Sequence, residues 1–217
     1  MSGRSVPSAY FDSIYARDPD PWGYATEPYE RAKYAATLAA LPRGRFRAGF
    51  EIGCSIGILT RSLAARCDRL LAADCSESSL ALARNNGRDL RGVRFSRLRV
   101  PGEWPRGRFD LVVMSEVLYY LSRREVSRVV RQILHNLRPG GVVVLVHWLG
   151  DTAAAQTGDQ AAAQFLREAR QRLRVVRRKR NSRYRLDVLT RQGTVPAANP
   201  ERSRGRCSFP APAPWPG

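Results

Sequence analysis

The sequence predicts an α/β fold: a mostly parallel seven-stranded sheet with helices on both faces, finished by an antiparallel C-terminal hairpin. Three observations carry this reading. From Ala48 onward, short apolar runs alternate with helical patterns, the signature of βαβ units. A turn of small residues between Gly53 and Gly57 follows the first run and opens a helix, so backbone amides can approach a ligand closely. The two last apolar runs are separated only by a polar turn at Asn181-Ser182 and should pair as a hairpin at the sheet edge.

The elements follow in order. Up to Gly23 the chain reads as an ordered arm, with Tyr10, Phe11, Tyr15 and Trp22 around Asp18-Pro19-Asp20-Pro21. Thr26 is placed to cap a helix entered through Pro28 and running to Leu41, where Pro42 and Gly44 stop it. Strands are expected over residues 49–52, 69–73, 93–98, 109–114 and 142–147. Helices fill the gaps at 58–66, at 78–85 behind a Ser76 cap, and at 123–137 behind a Ser122/Glu125 capping box closed by Pro139-Gly140-Gly141. An Ala/Gln-rich helix over 159–172 precedes the final strands, 173–178 and 184–189. Beyond Arg191 the prolines and arginines predict a disordered tail. The expected organisation is thus an arm and helix covering the site (1–44), a catalytic domain (45–191) and a tail (192–217).

The 217 residues suit one domain, and 43% hydrophobic with 26% charged residues is an ordinary globular mix. No run approaches the roughly 20 apolar residues needed to cross a bilayer, and the first residues lead into no apolar signal core. A cytoplasmic protein with no membrane role is expected. Cys54, Cys67, Cys75 and Cys207 lack metal-ligand spacing, so free thiols and no metal are expected. The formal charge of +18 comes almost wholly from arginine, Lys33 and Lys179 being the only lysines. A polyanionic partner and a compositional bias of the coding sequence both explain it, because net charge speaks to loose association rather than to fold.

The chemistry concentrates at strand ends. A dinucleotide turn of the form GxGxxG would need glycine where Ser55 and Ile58 stand. The form used with S-adenosylmethionine, an acidic residue then GxGxG, is met by Glu51, Gly53 and Gly57 and missed only at Ser55. Asp74, at the end of the next strand, is spaced to accept both ribose hydroxyl hydrogens of a nucleoside, although it could also cap a helix. In the loop after the third strand, where an acid often meets the adenine amino group, Arg99 stands instead, and arginine has no acceptor. Either backbone carbonyls bind the adenine or the affinity is reduced. At the end of the fourth strand, Ser115, Glu116, Tyr119 and Tyr120 fall beside the methyl donor. The Asn/Asp-Pro-Pro-aromatic run of enzymes that methylate base amines is absent there, which argues against a nucleic-acid substrate and for a small molecule. His147, on the same rim, is a candidate base or a core residue, and Trp148 could stack on a sugar ring or close the core.

Together these segments resemble the NodS family of nodulation-type methyltransferases from Tyr10 to Arg191. The resemblance rests on Asp18-Pro19-Asp20-Pro21-Trp22, Tyr29-Glu30-Arg31-Ala32-Lys33-Tyr34, Glu51-Ile52-Gly53-Cys54-Ser55-Ile56-Gly57, Asp74 and Ser115-Glu116-Val117-Leu118-Tyr119-Tyr120-Leu121. It implies a Rossmann-like class I methyltransferase fold and S-adenosyl-L-methionine as cofactor. The implied cofactor-binding residues are Trp22, Arg31, Glu51, Gly53, Ser55, Gly57, Thr60, Asp74, Cys75, Ser115 and Glu116. NodS-like proteins N-methylate the free amine of a deacetylated chitooligosaccharide, so the resemblance implies an amine acceptor in a small molecule or amino sugar, and oligosaccharide biosynthesis.

Methyl transfer from a sulfonium needs alignment above all, and positioning can supply roughly 7 to 11 kcal/mol. Glu116 or His147 is the expected proton acceptor or relay, with Tyr119 or Trp22 near the sulfonium. The rival expectation is a catalytically impaired methyltransferase-like module that binds RNA or DNA through its arginines.

Overall fold

The computed structural model describes residues 4–152 and 154–192. The expected tail from 193 onward and Cys207 lie outside these residues. Seven strands, β1 (Gly49–Ile52), β2 (Leu70–Asp74), β3 (Val93–Arg97), β4 (Phe109–Ser115), β5 (Leu137–Trp148), β6 (Leu173–Arg180) and β7 (Tyr184–Arg191), form one sheet in the order β3-β2-β1-β4-β5-β7-β6. The first five run parallel, and β7 pairs antiparallel with both β5 and β6. The hairpin stands at the sheet edge as expected, with its second strand beside β5 and β6 outermost. The sequence pattern explains this. β7 is buried along Tyr184–Leu189, whereas β6 is exposed after Leu173 and carries five basic residues, which suits an edge.

Helices α1 (Ser8–Arg17), α2 (Pro28–Ala40), α3 (Ile58–Ala64), α4 (Glu77–Asn86), α5 (Arg123–Asn136) and α6 (Gly158–Ala169) complete the described fold with a 3-10 turn at Leu118–Tyr120. Period-two alternation divides the sheet's side chains between two cores. Val112, Met114, Val143 and Leu145 face Val126, Val129, Ile133 and Phe165 of α5 and α6. Leu111, Val113, Val142, Val144 and Val146 join Ala40 of α2 and Leu59 and Leu63 of α3.

Local chemistry sets the helix ends. The Ser76 hydroxyl accepts from the Ser79 amide, and Ser122 and Glu125 form the expected capping box. A second box, Thr157 with Gln160, starts α6 and escaped the sequence reading. Two N-terminal expectations need correction. The arm contains a full helix, α1, whose entry after Pro7 has no side-chain cap to announce it. Thr26 does not cap α2. Glu27 holds that position without a side-chain bond, and the Thr26 carbonyl accepts from the Arg31 guanidinium.

Phe165 is completely buried between α6 and the sheet. Phe165→Ala should lower unfolding free energy by about 3–5 kcal/mol, read as a lower midpoint in urea with the m-value unchanged.

Candidate active site

The turn from β1 into α3 is shaped by three left-handed residues. Gly53 has φ +77°, and a Cβ there would stand 2.2 Å from Cγ2 of Val117, so only glycine fits. Gly57, φ +83°, is the N-cap of α3, and a Cβ added to it would stand 3.3 Å from the Ala83 backbone of α4. Ser55, where glycine was missing, adopts φ +50°, a strained value for a residue with a Cβ. Its hydroxyl meets the phenol of Tyr15 from α1, and its amide donates to Oδ2 of Asp74 at 2.9 Å.

Asp74 ends β2 with Oδ1 accepting from the Ser76 amide at 3.0 Å. Each carboxylate oxygen thus accepts from a backbone amide, and the Ser79 side chain and the Cys75 backbone also act on the group. Burial pushes the Asp74 carboxyl up from its ordinary value against these hydrogen bonds. Glu51, inside β1, is pushed up to about 8 by burial, with the Thr60 hydroxyl donating to Oε2 at 2.6 Å in partial compensation.

At the end of β4, Glu116 has φ +61° and joins a buried network. Its Oε1 accepts from Nζ of Lys33 at 2.7 Å, and its Oε2 from the Tyr119 hydroxyl and the Trp148 amide, both at 2.8 Å. Lys33, only 2% exposed, also donates to Glu30 at 2.8 Å and lies 5.2 Å from the Tyr29 ring centroid. One ammonium from α2 therefore holds two carboxylates.

A cavity of about 460 Å3 joins these groups over the carboxyl ends of β1, β2 and β4. The N-terminal segment forms its other wall through Phe11, Tyr15, Trp22 and Tyr24. That segment is pinned where Asp12 accepts from the Ser76 hydroxyl at 2.7 Å, where Ser5 accepts from the Ser122 amide at 2.7 Å, and where the Val6 amide donates to the Tyr120 carbonyl at 2.9 Å. Asp20 accepts from the amides of Tyr24 and Ala25 at 2.7 and 2.9 Å, fixing the turn that presents Trp22 and Tyr24.

Of the candidate residues, Trp22, Glu51, Gly53, Ser55, Asp74, Cys75, Ser115 and Glu116 line this cavity. Five others do not. Arg31 is exposed and holds the Thr26 carbonyl. Gly57 and Thr60 lie behind the turn, one packing α3 on α4 and the other bonded to Glu51. Tyr119 reaches the site only through Glu116. His147 is the clearest correction: alternation along β5 turns it to the face of Val143 and Leu145, where it is fully buried, 5.8 Å from the Tyr119 ring. Burial lowers its imidazole to about 4, so it is neutral and out of reach of a substrate. The sequence reading missed Lys33 and Glu30 as charged members of the site. Their three-residue spacing on α2 was the available signal.

Among the described residues no cluster could hold a metal ion, and no helix is long and apolar enough to cross a membrane. A parallel sheet with an inserted antiparallel β7, and a cavity shaped by an acidic strand, a small-residue turn and Asp74, defines a class I methyltransferase domain. A family model described as a methyltransferase domain matches residues 50–143. A candidate methyltransferase structure from Pseudomonas syringae is 38% identical, covers 76% of this chain and all of its own, and superposes with a TM-score of 0.66. Nodulation protein S of Rhizobium tropici is 32% identical over 127 residues, 58% of this chain and 53% of that protein. The chain thus spans about half the length of the nodulation proteins it matches. The N-methyltransferase NodS of Bradyrhizobium japonicum, solved with S-adenosyl-L-homocysteine, shares the fold at 22% identity and a TM-score of 0.71, covering 85% of this chain and 97% of its own. The chain belongs to the methyltransferase family and is similar to nodulation protein S.

The buried charges have measurable consequences. Lys33→Met leaves Glu116 without its ammonium and should cost about 3–5 kcal/mol of stability; the double variant K33M/E116Q should recover part of it, as read from urea midpoints. Glu51 keeps its proton in the folded chain up to about pH 8, whereas the unfolded chain loses it near 4.5. Its contribution to stability is full below pH 4.5 and is lost as pH rises through 8. Glu51→Gln should therefore flatten the fall in stability between about pH 5 and 8.5, measured as urea midpoints across that range.

Proposed function

We propose that this chain is an S-adenosylmethionine-dependent methyltransferase that methylates an amine of a small molecule, an amino sugar foremost. The observation that carries the reading is a single cavity lined by Glu51, the Gly53–Ser55 turn, Asp74 and Glu116. The residues fit the cofactor. Asp74 lines the cavity at the end of β2, where a carboxylate can accept from a pair of ribose hydroxyls. The turn offers backbone close to the ligand because Gly53 has no side chain. The cofactor would supply an activated methyl on a sulfonium.

The chain's own residues supply placement and water exclusion. Phe11, Tyr15, Trp22 and Tyr24 close the cavity from the N-terminal side, and aromatic faces suit a sulfonium. Glu116 is held by three donors, so it is a fixed carboxylate wall that orients an amine acceptor. Its position is set by Lys33, Tyr119 and the Trp148 amide rather than by the substrate. The N-methyltransferase activity named for NodS supports an amine as acceptor, and the resemblance to proteins acting on deacetylated chitooligosaccharides supports an amino sugar.

Calorimetric titration with S-adenosyl-L-homocysteine tests the reading. One site per chain is expected, and Asp74→Ala should weaken binding at least about tenfold, because hydrogen bonds to a charged group are lost. No heat of binding in the unmodified protein overturns it.

A further inference from the structure

The two ends of the cavity differ in charge. The carboxylates Asp74 and Glu116 line it at the ends of β2 and β4, whereas the loop after β3 and helix α5 contribute two guanidiniums, Arg99 and Arg128, with Glu125 also on α5. The sheet order fixes what lies where. β3 neighbours β2 on the side away from β1 and β4, so a nucleoside held by its ribose at Asp74, with its reacting end toward Glu116, extends its base toward the loop after β3. That loop contributes Leu98, Arg99, Val100, Pro101 and Gly102 to the wall.

The acid of this loop is committed elsewhere. Glu103 turns Oε2 onto the Arg99 amide at 2.8 Å and does not line the cavity. Glu125, which does, is tied into the capping box of α5, with Oε2 accepting from the Ser122 amide and hydroxyl. Asp12 is bound to Ser76. The side chains of Arg99 and Arg128 are exposed, with no hydrogen bond or ion pair to the described residues. A guanidinium only donates, so the loop after β3 offers donors to a purine edge and turns no carboxylate into the cavity.

We propose that Arg99 makes the base subsite a donor-lined one that accepts a 6-oxopurine as readily as a 6-aminopurine. The inference rests on the reading of the cavity as a nucleoside-cofactor site. Adenine presents acceptors at N1 and N7, and hypoxanthine presents O6 and N7. Both edges satisfy a donor. A carboxylate at the same place would pair with the adenine amino group and leave O6 facing a negative charge.

The test is a pair of calorimetric titrations, S-adenosyl-L-homocysteine against S-inosyl-L-homocysteine, on the full chain and on Arg99→Asp. Dissociation constants within about threefold of each other are expected for the unmodified protein. In R99D the adenosyl compound should be favoured by about tenfold or more, since that change restores an acceptor. The Arg99 side chain holds no partner among the described residues, so R99D should keep the unfolding midpoint of the parent, checked in parallel. An adenosyl preference of about tenfold or greater already in the unmodified protein, or an unchanged ratio in R99D, overturns the inference and leaves the methyltransferase reading standing. Failure of both compounds to bind the unmodified protein overturns the two together.

Discussion

The buried contact between Lys33 and Glu116 ties the N-terminal part of the chain to the working end of the sheet. Removing an ammonium and a carboxylate from water is costly, and the cost is offset only when each is fully engaged. Here Lys33 reaches two carboxylates, and Glu116 accepts from three donors that come from α2, the 3-10 turn and β5. The side chain has little freedom to turn elsewhere. A residue with φ +61° at the mouth of the cavity is held in that conformation by partners on three separate elements, and the position of α2 against the strand ends follows from the same contact.

The cavity inherits its shape from this arrangement. Once α2 is docked, the segment before it must pass across the strand ends, and its aromatic residues become the outer wall. The latches that hold this segment reach the very residues that shape the pocket. Tyr15 meets Ser55, and Asp12 meets the cap of α4. The strained serine in the turn is thus contacted from both sides, by Asp74 on its amide and by Tyr15 on its hydroxyl. This gives a physical reason why serine can stand where the motif prefers glycine.

Negative charge in the pocket is managed unevenly. Glu116 has a cation of its own, Asp74 has backbone amides, and Glu51 has a single hydroxyl and is pushed by burial toward the neutral form. Several arginines pair outside the pocket. Asp187, fully buried, is flanked by Arg178 and Arg185, and Asp159 by Arg180 and Arg185, on the hairpin side of the sheet. Part of the basic composition therefore holds the hairpin and α6 together, far from any role that net charge alone would suggest.

Sequence determined the class of fold, the strands to within a few residues, the turn at Gly53–Gly57 and the carboxylate at Asp74. Each of these follows from local rules: alternation, caps, and the need for a residue without a Cβ at a close approach. Tertiary structure decided the rest. His147 looked like a rim residue because it ends an apolar strand, but which face it takes depends on the parity of β5 against its neighbours, and that parity buries it. Lys33 stands out in the sequence only as one of two lysines and as part of the run Tyr29–Tyr34, and its bond to Glu116 spans 83 positions of sequence. Long-range partners of this kind leave no periodic trace, because they are set by how elements dock and not by how each one forms.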